Sequence, residues 1–389
     1  MAEKYPWKLA VLDANDSWTT DLFGACAEHC DVLMLRPREV RTFLRQNTSL
    51  RAIDFRPRPT GPGLWEQRLA MPPGWLFHGW AATRLFLRSF LSRFAAGAPL
   101  WLVHNLPHYA GLWERAIYYC VDDYTNYWPG REALTARRER ESVQSAALTV
   151  CVSRARREEL AARIPERAER IQYLPHAASE RFLPPEPLAE PGPVPPELPQ
   201  LPRPVVGWVG ALCARFDYAW VAEAARLLPH AQFVLAGTPP KGIEGDEQWK
   251  ASLAQCGNFS NIHFVGRLSH TIVPSFLQSC DVLMLPYSDI AFNRSASPIK
   301  YWECLASTRP MVGSDRVSEL IFPGNGLKIA STPSEFAQMI AQFLETTDTQ
   351  ARARWEFAQS HTWKHRAARL AHWVASCPPQ TATAGVATA

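Results

Sequence analysis

The chain of 389 residues lacks several features that mark common protein classes. It has no run of about 18 consecutive apolar residues, the length that a membrane-spanning helix needs. It has neither GxGxxG nor GxxxxGK followed by Ser or Thr, which argues against dinucleotide oxidoreductases and P-loop enzymes. No D-x-D pair occurs, and the nine cysteines are scattered without a pattern that would complete a zinc site. These absences predict a cytoplasmic protein with no bound metal and no cofactor.

A strong charge imbalance is also lacking, because the formal net charge is only +4. Residues 1–182 carry 25 Lys and Arg against 20 Asp and Glu, and the remainder carries 16 against 17. Nucleic-acid-binding domains are far more basic, so no nucleic-acid partner is expected. Residues 51–100 nevertheless hold seven Arg and two acidic residues, and they include the helical segment Leu85–Phe94 (LFLRSFLSRF). That segment fits either a core-packing helix or a helix on an anionic membrane surface, and both remain open.

Proline, by contrast, is abundant. The chain has 33 prolines, and ten of them fall between Leu183 and Pro204. Such a density excludes a helix or a central strand, because proline lacks the N–H donor and clashes with the preceding turn. The segment therefore predicts a stiff, extended connector between a domain of residues 1–182 and a second domain of similar length.

Both halves alternate short apolar runs with amphipathic segments, which is typical of parallel sheets with crossover helices. We therefore predict an α/β protein with two doubly wound parallel sheets, in which ligands bind at the carboxyl ends of the strands. A Trp- and His-rich stretch at 352–376 has a helical pattern. The predicted strands are Lys8–Asp13, Asp31–Leu35, Arg51–Phe55, Leu100–His104, Ala116–Val121, Leu148–Val152 and Ile171–Leu174 in the first half, and Val205–Val209, Gln232–Ala236, Ile262–Val265, Asp281–Leu285 and Met311–Gly313 in the second.

The segment SPIKYWE (297–303) is the strongest local signal for a binding site. It predicts a helix with Ser297 at the N-cap and Pro298 at the first helical position. The free amides of a helix N-terminus suit a phosphate, and Lys300 adds a positive charge in the same turn. Glu303 shares that face and could accept hydrogen bonds from sugar hydroxyls. A capped surface helix with an i, i+3 ion pair is the alternative interpretation.

Two further segments end predicted strands with polar residues. In VVGWVGALCARFD (205–217), Gly210 would allow a ligand to approach the backbone, and Arg215 could reach a diphosphate. In YYCVDDY (118–124), Asp122 or Asp123 could act as a general base, or the pair could cap and brace a loop. Polar residues that follow other strands of the first half could meet an acceptor: Asp13, Asn15, Asp16 and His108.

In their joint order these segments resemble bacterial glycosyltransferases of the two-Rossmann GT-B type, especially the group 1, family 4-like enzymes of polysaccharide or glycoconjugate assembly. The resemblance covers roughly residues 8–376. It is carried by YYCVDDYTNYWPG and the strand and helix that follow it, by LPHAASERF, by VVGWVGALCARFDYAW, by NIHFVGRLSHTIVPSFLQSCDVLMLPYS, by SPIKYWECLASTRPMVGSD and by HTWKHRAARLAHWV.

The resemblance implies two Rossmann-like domains that face each other, with a C-terminal helix that crosses back to the first. The domains would be an N-terminal acceptor domain (1–182), an interdomain linker (183–204) and a donor domain (205–360). The returning helix would span 361–376, and the tail (377–389) is expected to be disordered.

The resemblance also implies a nucleotide-diphosphate sugar as the donor, bound by the second half. Glu303 would bind the donor ribose. Ser295 stands eight residues before it, where many family 4 enzymes have a second glutamate, and Arg215 replaces the usual lysine of the first donor-domain loop. Retention and inversion of the anomeric carbon both remain open. The other implied donor residues are Gly210, Ser297 and Lys300 for the diphosphate, and Val265, Gly266 and Arg267 for the base.

The implied function is a metal-independent glycosyltransferase (EC 2.4 type) that moves a sugar to a hydroxyl of a saccharide, a lipid-linked molecule or another acceptor. If the reaction inverts the sugar, Asp122 or Asp123 would deprotonate the acceptor. The alternatives are a nucleotide-sugar epimerase on the same fold and a non-catalytic nucleotide-sugar-binding scaffold. Contact with the inner face of the membrane through the Arg-rich first domain is open, and the sequence does not indicate an oligomeric state.

Overall fold

The computed structural model describes residues 4–41, 56–77, 80–238 and 247–377. The chain divides by its contacts into two compact units. Unit 1 contains the residues up to Pro175 together with those from Trp363 onward, and unit 2 is His176–Thr362. The chain therefore passes between the units twice, at Pro175–His176 and at Thr362–Trp363.

The sheet of unit 1 has eight strands among the described residues. They are β1 (Lys8–Val11), β2 (Asp31–Glu39), β3 (Arg58–Gly61), β4 (Leu64–Met71), β5 (Leu100–His104), β6 (Ala116–Cys120), β7 (Leu148–Cys151) and β8 (Ile171–Tyr173). Their order is β3-β4-β2-β1-β5-β6-β7-β8, and every pair is parallel except the β3–β4 hairpin. All residues of β5 and β6 are buried, as expected for strands covered on both faces. Because β1 pairs with both β2 and β5, the strand order reverses at β1.

Helices cover both faces of this sheet. They are α1 (Ser17–Cys26), α2 (Trp80–Ala95), α3 (Glu132–Ser145), α4 (Arg154–Arg163) and the C-terminal α12 (Trp363–Ser376). Ser153 starts α4, because its side chain accepts a hydrogen bond from the Arg156 amide at 3.2 Å. Helix α12 packs against α1, so the C-terminal helix is part of unit 1.

Unit 2 has a six-stranded parallel sheet in the described residues. Its strands are β9 (Val205–Val209), β10 (Gln232–Ala236), β11 (Ile262–Gly266), β12 (Val282–Leu285), β13 (Met311–Ser314) and β14 (Leu327–Ala330). Their order is β11-β10-β9-β12-β13-β14, so the switch point lies at β9. The helices of the unit are α5 (Tyr218–Leu227), α6 (Glu247–Cys256), α7 (Val273–Ser279), α8 (Ala291–Ser295), α9 (Ile299–Ala306), α10 (Pro333–Glu345) and α11 (Ala351–Gln359). The two sheets confirm the predicted pair of doubly wound domains.

The proline-rich segment 183–204 is part of unit 2 and packs along it, which differs from the predicted connector between domains. Leu198 is buried in the unit 2 core. The Gly192 amide donates to the Gln278 carbonyl at 2.9 Å, and Arg203 forms an ion pair with Asp281 at 2.9 Å. Within the segment the Leu198 amide donates to the Pro195 carbonyl at 3.0 Å, and other polar groups find partners on the surface beside it.

Other differences concern strands and helices that the sequence pattern did not indicate. The β3–β4 hairpin and β14 were not predicted, and the stretch at 352–376 contains two helices, α11 and α12, separated by a short turn. The strand predicted at Arg51–Phe55 and residues 378–389 of the predicted tail lie outside the described residues. None of the helices in the described part of the chain is both long enough and apolar enough to cross a lipid bilayer.

Candidate functional site

Three glycines lie at the carboxyl edge of the unit 2 sheet, where β9, β10 and β11 end. The Gly210 amide donates to the Ala236 carbonyl at 2.9 Å, and the Gly237 amide donates to the Gly266 carbonyl at 2.8 Å. A Cβ atom on Gly237 would overlap the Gly210 carbonyl oxygen, so this approach requires glycine. Gly266 has φ +74°, in the left-handed region. Sequence reasoning found Gly210 and Gly266 but missed Gly237, which follows its strand as Gly210 follows β9.

The residues predicted for the base pocket flank Gly266. Val265 is half-buried and packs against the unit 2 core, whereas Arg267 is exposed. Strand β11 is the edge strand of the sheet, so only one side of it is paired with another strand. Their contact with a base remains a prediction.

Arg215 lies in the loop that joins β9 to α5. Its side chain is exposed, and its guanidinium carbon lies 4.7 Å from the centre of the Phe292 ring. The Arg215 carbonyl accepts hydrogen bonds from the Ser288 amide and from Nδ2 of buried Asn293, both at 3.0 Å. The backbone of the loop is thus fixed while the cation stays accessible. Asn293 was not predicted, because its role depends on a contact 78 residues away.

Helix α9 begins at Ile299, one residue later than a Ser297 N-cap requires, so this detail of the prediction is wrong. Pro298 occupies the N-cap position, and no side chain caps the helix. The Ser297 carbonyl is instead bonded to Nδ1 of His176 at 2.7 Å. Oγ of Ser297 is buried and has no hydrogen-bond partner. The start of α9 therefore presents an unpartnered hydroxyl beside free backbone amides.

Lys300 and Glu303 lie together on the first turns of α9. The Lys300 ammonium is 2.6 Å from Oε2 of Glu303. The Glu303 side chain is 6% exposed and that of Lys300 is 27% exposed, so the carboxylate is held inside and the cation reaches the surface. The ion pair of the alternative interpretation is present. It does not exclude binding, because a buried carboxylate with an accessible lysine can meet both ends of a polar ligand.

Tyr287 is a buried residue of the unit 2 core. It follows β12, and its ring centre lies 5.8 Å from that of Trp208 in β9. Burial raises the pKa of Tyr287, the charges of Cys304 and Glu303 raise it further and that of Arg215 lowers it. Asp217, two residues after Arg215, caps α5 through the amides of Ala219 and Trp220 and faces the helix.

In unit 1, the two predicted carboxylates after β6 have different environments. The Tyr127 hydroxyl donates to Oδ2 of Asp122 at 2.6 Å. Oδ1 of Asp123 accepts from the amide of Thr125 at 3.1 Å and from its hydroxyl at 2.5 Å, and so caps the short 3₁₀ helix Tyr124–Asn126. Asp123 thus has the loop-bracing role of the alternative interpretation, whereas Asp122 is bound by a tyrosine hydroxyl.

A buried ion cluster lies behind Asp123 and was not predicted. Arg156 and Glu139 are fully buried and paired, and Oε2 of Glu139 also binds Arg163 at 2.9 Å. The Tyr118 hydroxyl donates to Oε1 of Glu139 at 3.2 Å. Arg156 lies 3.8 Å from Oδ1 of Asp123. The sequence hides this cluster, because a glutamate and two arginines on two polar helices look like solvated charges.

The acceptor-side candidates are dispersed around the carboxyl edge of unit 1. Nδ2 of Asn15 donates to the Pro37 carbonyl at 3.4 Å, and Oδ1 of Asn15 is buried without a partner. Asp16 is exposed at the start of α1, and partial burial raises its pKa. His108 is only 3% exposed and packs edge-on against Trp128, with ring centres 4.7 Å apart. Burial lowers the pKa of His108 to about 4, so it is neutral and is covered by Trp128.

Metal ligands are not gathered anywhere in the described ranges: no group of three or more His, Cys, Asp or Glu side chains there is placed to hold an ion.

Comparison with known proteins identifies related chains. Residues 215–372 match the family model described as "Glycosyl transferase-like". A protein of Bacillus subtilis (strain 168), named as a teichuronic acid biosynthesis glycosyltransferase, is 27% identical over 111 residues, which are 28% of this chain and 26% of that one. The alpha-D-kanosaminyltransferase of Streptomyces kanamyceticus is 26% identical over 225 residues, 55% of each chain. The chain thus spans about a quarter and about half of the lengths of these two relatives.

Solved structures share the fold over nearly the whole chain. HepE of Anabaena, solved in complex with UDP-glucose, superimposes with a TM-score of 0.64 at 15% identity. The match covers 95% of this chain and 99% of that one. At this identity the likeness concerns the fold alone.

Proposed function

We propose that this chain, a GT-B protein similar to the group 1 glycosyltransferases, transfers a sugar from a nucleoside-diphosphate sugar to a hydroxyl group of an acceptor. Unit 2 would hold the donor and unit 1 the acceptor. The relatives named as glycosyltransferases and the UDP-glucose bound by HepE support this class of reaction. The observation that carries the proposal is the start of α9, where a buried unpartnered hydroxyl, an accessible lysine and a buried carboxylate occur within seven residues.

The donor would bind with its diphosphate at the start of α9 and its ribose on Glu303. Negative charge develops on the leaving diphosphate as the bond to the sugar breaks. The amides of α9, Oγ of Ser297 and the cation of Lys300 can stabilise that charge, with Arg215 as a second cation. Since these groups supply positive charge and hydrogen bonds, our proposal includes no metal. The glycine-lined edge at Gly210 would let the donor approach the backbone.

Replacing Lys300 tests the donor site directly. Lys300→Met should raise the KM for UDP-glucose about tenfold, because one charge-assisted contact to a phosphate contributes roughly 1.5–3 kcal/mol. The measurement is UDP release from UDP-glucose with octyl glucoside as the acceptor, and sugars on GDP, dTDP and ADP are tried in the same way. Lys250→Met is the matched control, because Lys250 forms an exposed ion pair of the same spacing and distance with Glu247.

The products of this assay separate the alternatives. A glycosylated acceptor and free nucleoside diphosphate support transfer. A sugar epimerised while still on its nucleotide would favour the epimerase, and tight binding with no turnover would favour the scaffold. An unchanged KM in Lys300→Met would contradict the assignment of the diphosphate to α9.

A basic surface with exposed apolar side chains on unit 1 supports contact with a membrane. On α2, Leu85 is 70% exposed and Phe86 is 44% exposed. Burial, and then the positive charges of Arg88 and Arg138, lower the pKa of Arg84. Glu114 lies 4.0 Å from Arg88 and Glu141 lies 2.8 Å from Arg138, so part of this positive charge is balanced. Helix α2 buries Leu87 and Leu91, as a core-packing helix would, and exposes Leu85 and Phe86, which leaves them available to a membrane surface. An anionic lipid surface complements both features, since it offers phosphates and acyl chains.

Leu85→Ser combined with Phe86→Ser should lower binding to vesicles of phosphatidylglycerol and phosphatidylcholine about tenfold. Burying one large apolar side chain contributes roughly 1.5–3 kcal/mol, and partial insertion recovers part of this. Vesicle flotation at low and high salt measures the effect. Leu227→Ser, at an exposed leucine of unit 2, is the control. Equal flotation of the double variant and the control would contradict the proposed contact.

We place this activity in the cytoplasm, at the inner face of the membrane. The nine cysteines are all unpaired, and seven of them are buried, which suits a reducing compartment.

A further inference from the structure

Asp13 lies at the switch point of the unit 1 sheet. It follows β1, which pairs with β2 on one side and β5 on the other. The Leu12 amide donates to the Val103 carbonyl at 2.9 Å, and the Ala14 amide donates to the Leu35 carbonyl at 3.0 Å. Both neighbouring strands therefore fix the backbone around Asp13 at the edge where doubly wound sheets bind their ligands.

The backbone of Asp13 is held in an uncommon conformation. Its φ is +57°, in the left-handed region that L-residues rarely occupy, although Asp and Asn tolerate it better than most. Such a conformation costs of order 1 kcal/mol or more and is concentrated at functional sites. In this loop it accompanies a short contact of 2.6 Å between the Asn15 amide and the Asp13 carbonyl.

Oδ2 of the Asp13 carboxyl group is buried, although the residue as a whole is half-buried. No hydrogen bond of ordinary geometry reaches its Oδ2. Burial and the negative charge of Asp16 raise the pKa of Asp13, and a hydrogen bond from the buried Tyr109 hydroxyl lowers it. Tyr124 also interacts with the charge of Asp13. His104, neutral because burial lowers its pKa to about 4, packs against the Tyr109 ring. Burial raises the pKa of Asp13 to about 7, so the carboxyl group is divided between its two forms near neutral pH.

Asp122 and Asp123, the carboxylates first predicted for this role, are less suited to it. Asp122 already receives the Tyr127 hydroxyl at 2.6 Å, and Asp123 caps a 3₁₀ helix and faces Arg156. A side chain that takes up a new hydroxyl needs a free acceptor oxygen and must be able to lose its own proton near the working pH. Asp13 has a buried Oδ2 without a hydrogen-bond partner, and burial raises its pKa to about 7.

We propose that Asp13 is the carboxylate that accepts the hydrogen bond of the reacting acceptor hydroxyl. This inference rests on the proposed function and adds a residue to it. During transfer the acceptor oxygen forms a bond to the anomeric carbon, and the bond from that carbon to the phosphate oxygen breaks, leaving its electron pair on the diphosphate. The hydroxyl proton passes to Asp13 if the configuration inverts, or to the departing phosphate if it is retained. In both courses Asp13 must be ionised to hold the hydroxyl.

The test compares Asp13→Asn with wild type, Asp122→Asn and Asp31→Asn. Asparagine has the same shape and tolerates φ +57°, so the fold should persist, as thermal melting would verify. Asp31 begins β2 at the opposite edge of the sheet and serves as the control. With UDP-glucose and octyl glucoside, Asp13→Asn should lower kcat/KM for the acceptor at least 100-fold and leave the Kd for UDP within twofold.

The pH profile supplies a readout that a structural role would not change. Wild-type kcat/KM should rise as the pH passes about 7 and level off above it, because only the ionised carboxylate accepts the hydroxyl. This rise of kcat/KM with pH should be absent in Asp13→Asn and should persist in Asp122→Asn. If Asp13→Asn has near-normal turnover and kcat/KM still rises as the pH passes about 7, this inference is wrong and the proposed function is unaffected. Absence of transfer by the wild-type protein would overturn the proposed function, and the inference with it.

Discussion

Glu303→Gln should weaken the binding of UDP-glucose about 100-fold. The Glu303 side chain is 6% exposed and is held by Lys300 at 2.6 Å, so its carboxylate is oriented before any ligand arrives. A ribose offers two adjacent hydroxyls, and hydrogen bonds to a charged acceptor contribute roughly 1.5–3 kcal/mol each. Glutamine keeps the shape of the side chain but loses the charge and one of its acceptor oxygens, and it leaves Lys300 without its partner.

Calorimetric titration with UDP-glucose and with UDP alone measures the effect. Since the ribose is common to both ligands, both affinities should fall by the same factor. Glu247→Gln, from the exposed pair with Lys250, should leave them unchanged. If Glu303→Gln binds UDP as tightly as wild type, the pair on α9 is a structural ion pair and the ribose assignment is wrong.

Glu139→Gln should lower the free energy of unfolding by about 3–5 kcal/mol, the range found when one partner of a buried ion pair is removed. Glu139 is fully buried and receives Arg156, Arg163 and the Tyr118 hydroxyl. Without its charge, the buried Arg156 keeps only the half-exposed Glu159 and the more distant Asp123 as carboxylate partners. The loss is large because a desolvated cation is costly unless it is paired.

Chemical denaturation gives this free energy, with Glu141→Gln as the control on the same helix. Glu141 pairs with Arg137 and Arg138 at the surface, where such pairs contribute about 0–1 kcal/mol. Equal losses in the two variants would show that the Glu139 cluster is not what stabilises unit 1. The double variant Glu139→Gln and Arg156→Met should lose less than the sum of the two single changes, because it removes the stranded charge.

Much of the fold follows from local sequence pattern. Val205–Val209 and Gln232–Ala236 have the predicted bounds, because each is a short apolar run that ends at a glycine. The resemblance to group 1 GT-B glycosyltransferases, drawn from the order of such segments, is confirmed by the family match over residues 215–372, the named relatives and the fold shared with solved structures. The density of proline in residues 183–204 correctly predicts an extended segment. Composition alone does not indicate which surface such a segment packs against.

The candidate site was predictable only in part. Lys300 and Glu303 are three residues apart on one helix, so helical geometry alone brings them together. The cap of α9 was misplaced because His176, far away in the chain, binds the Ser297 carbonyl. In the sequence, Asp13 is one of several polar residues that follow a strand. No nearby residue indicates the burial that raises its pKa.

The sequence by itself determined the order of most strands and helices, and hence many of the side chains that stand at the carboxyl ends of the two sheets. It did so because apolar periodicity, glycine and proline act over a few residues. Only the tertiary structure decided which of those side chains keep a free hydrogen-bonding atom and which serve the scaffold. Asp123 and Asp217 became caps, Glu139 became the centre of a buried ion cluster and Asp13 kept an open oxygen. Burial and partners come from residues distant in the chain, and these set both the protonation state and the availability of a polar group.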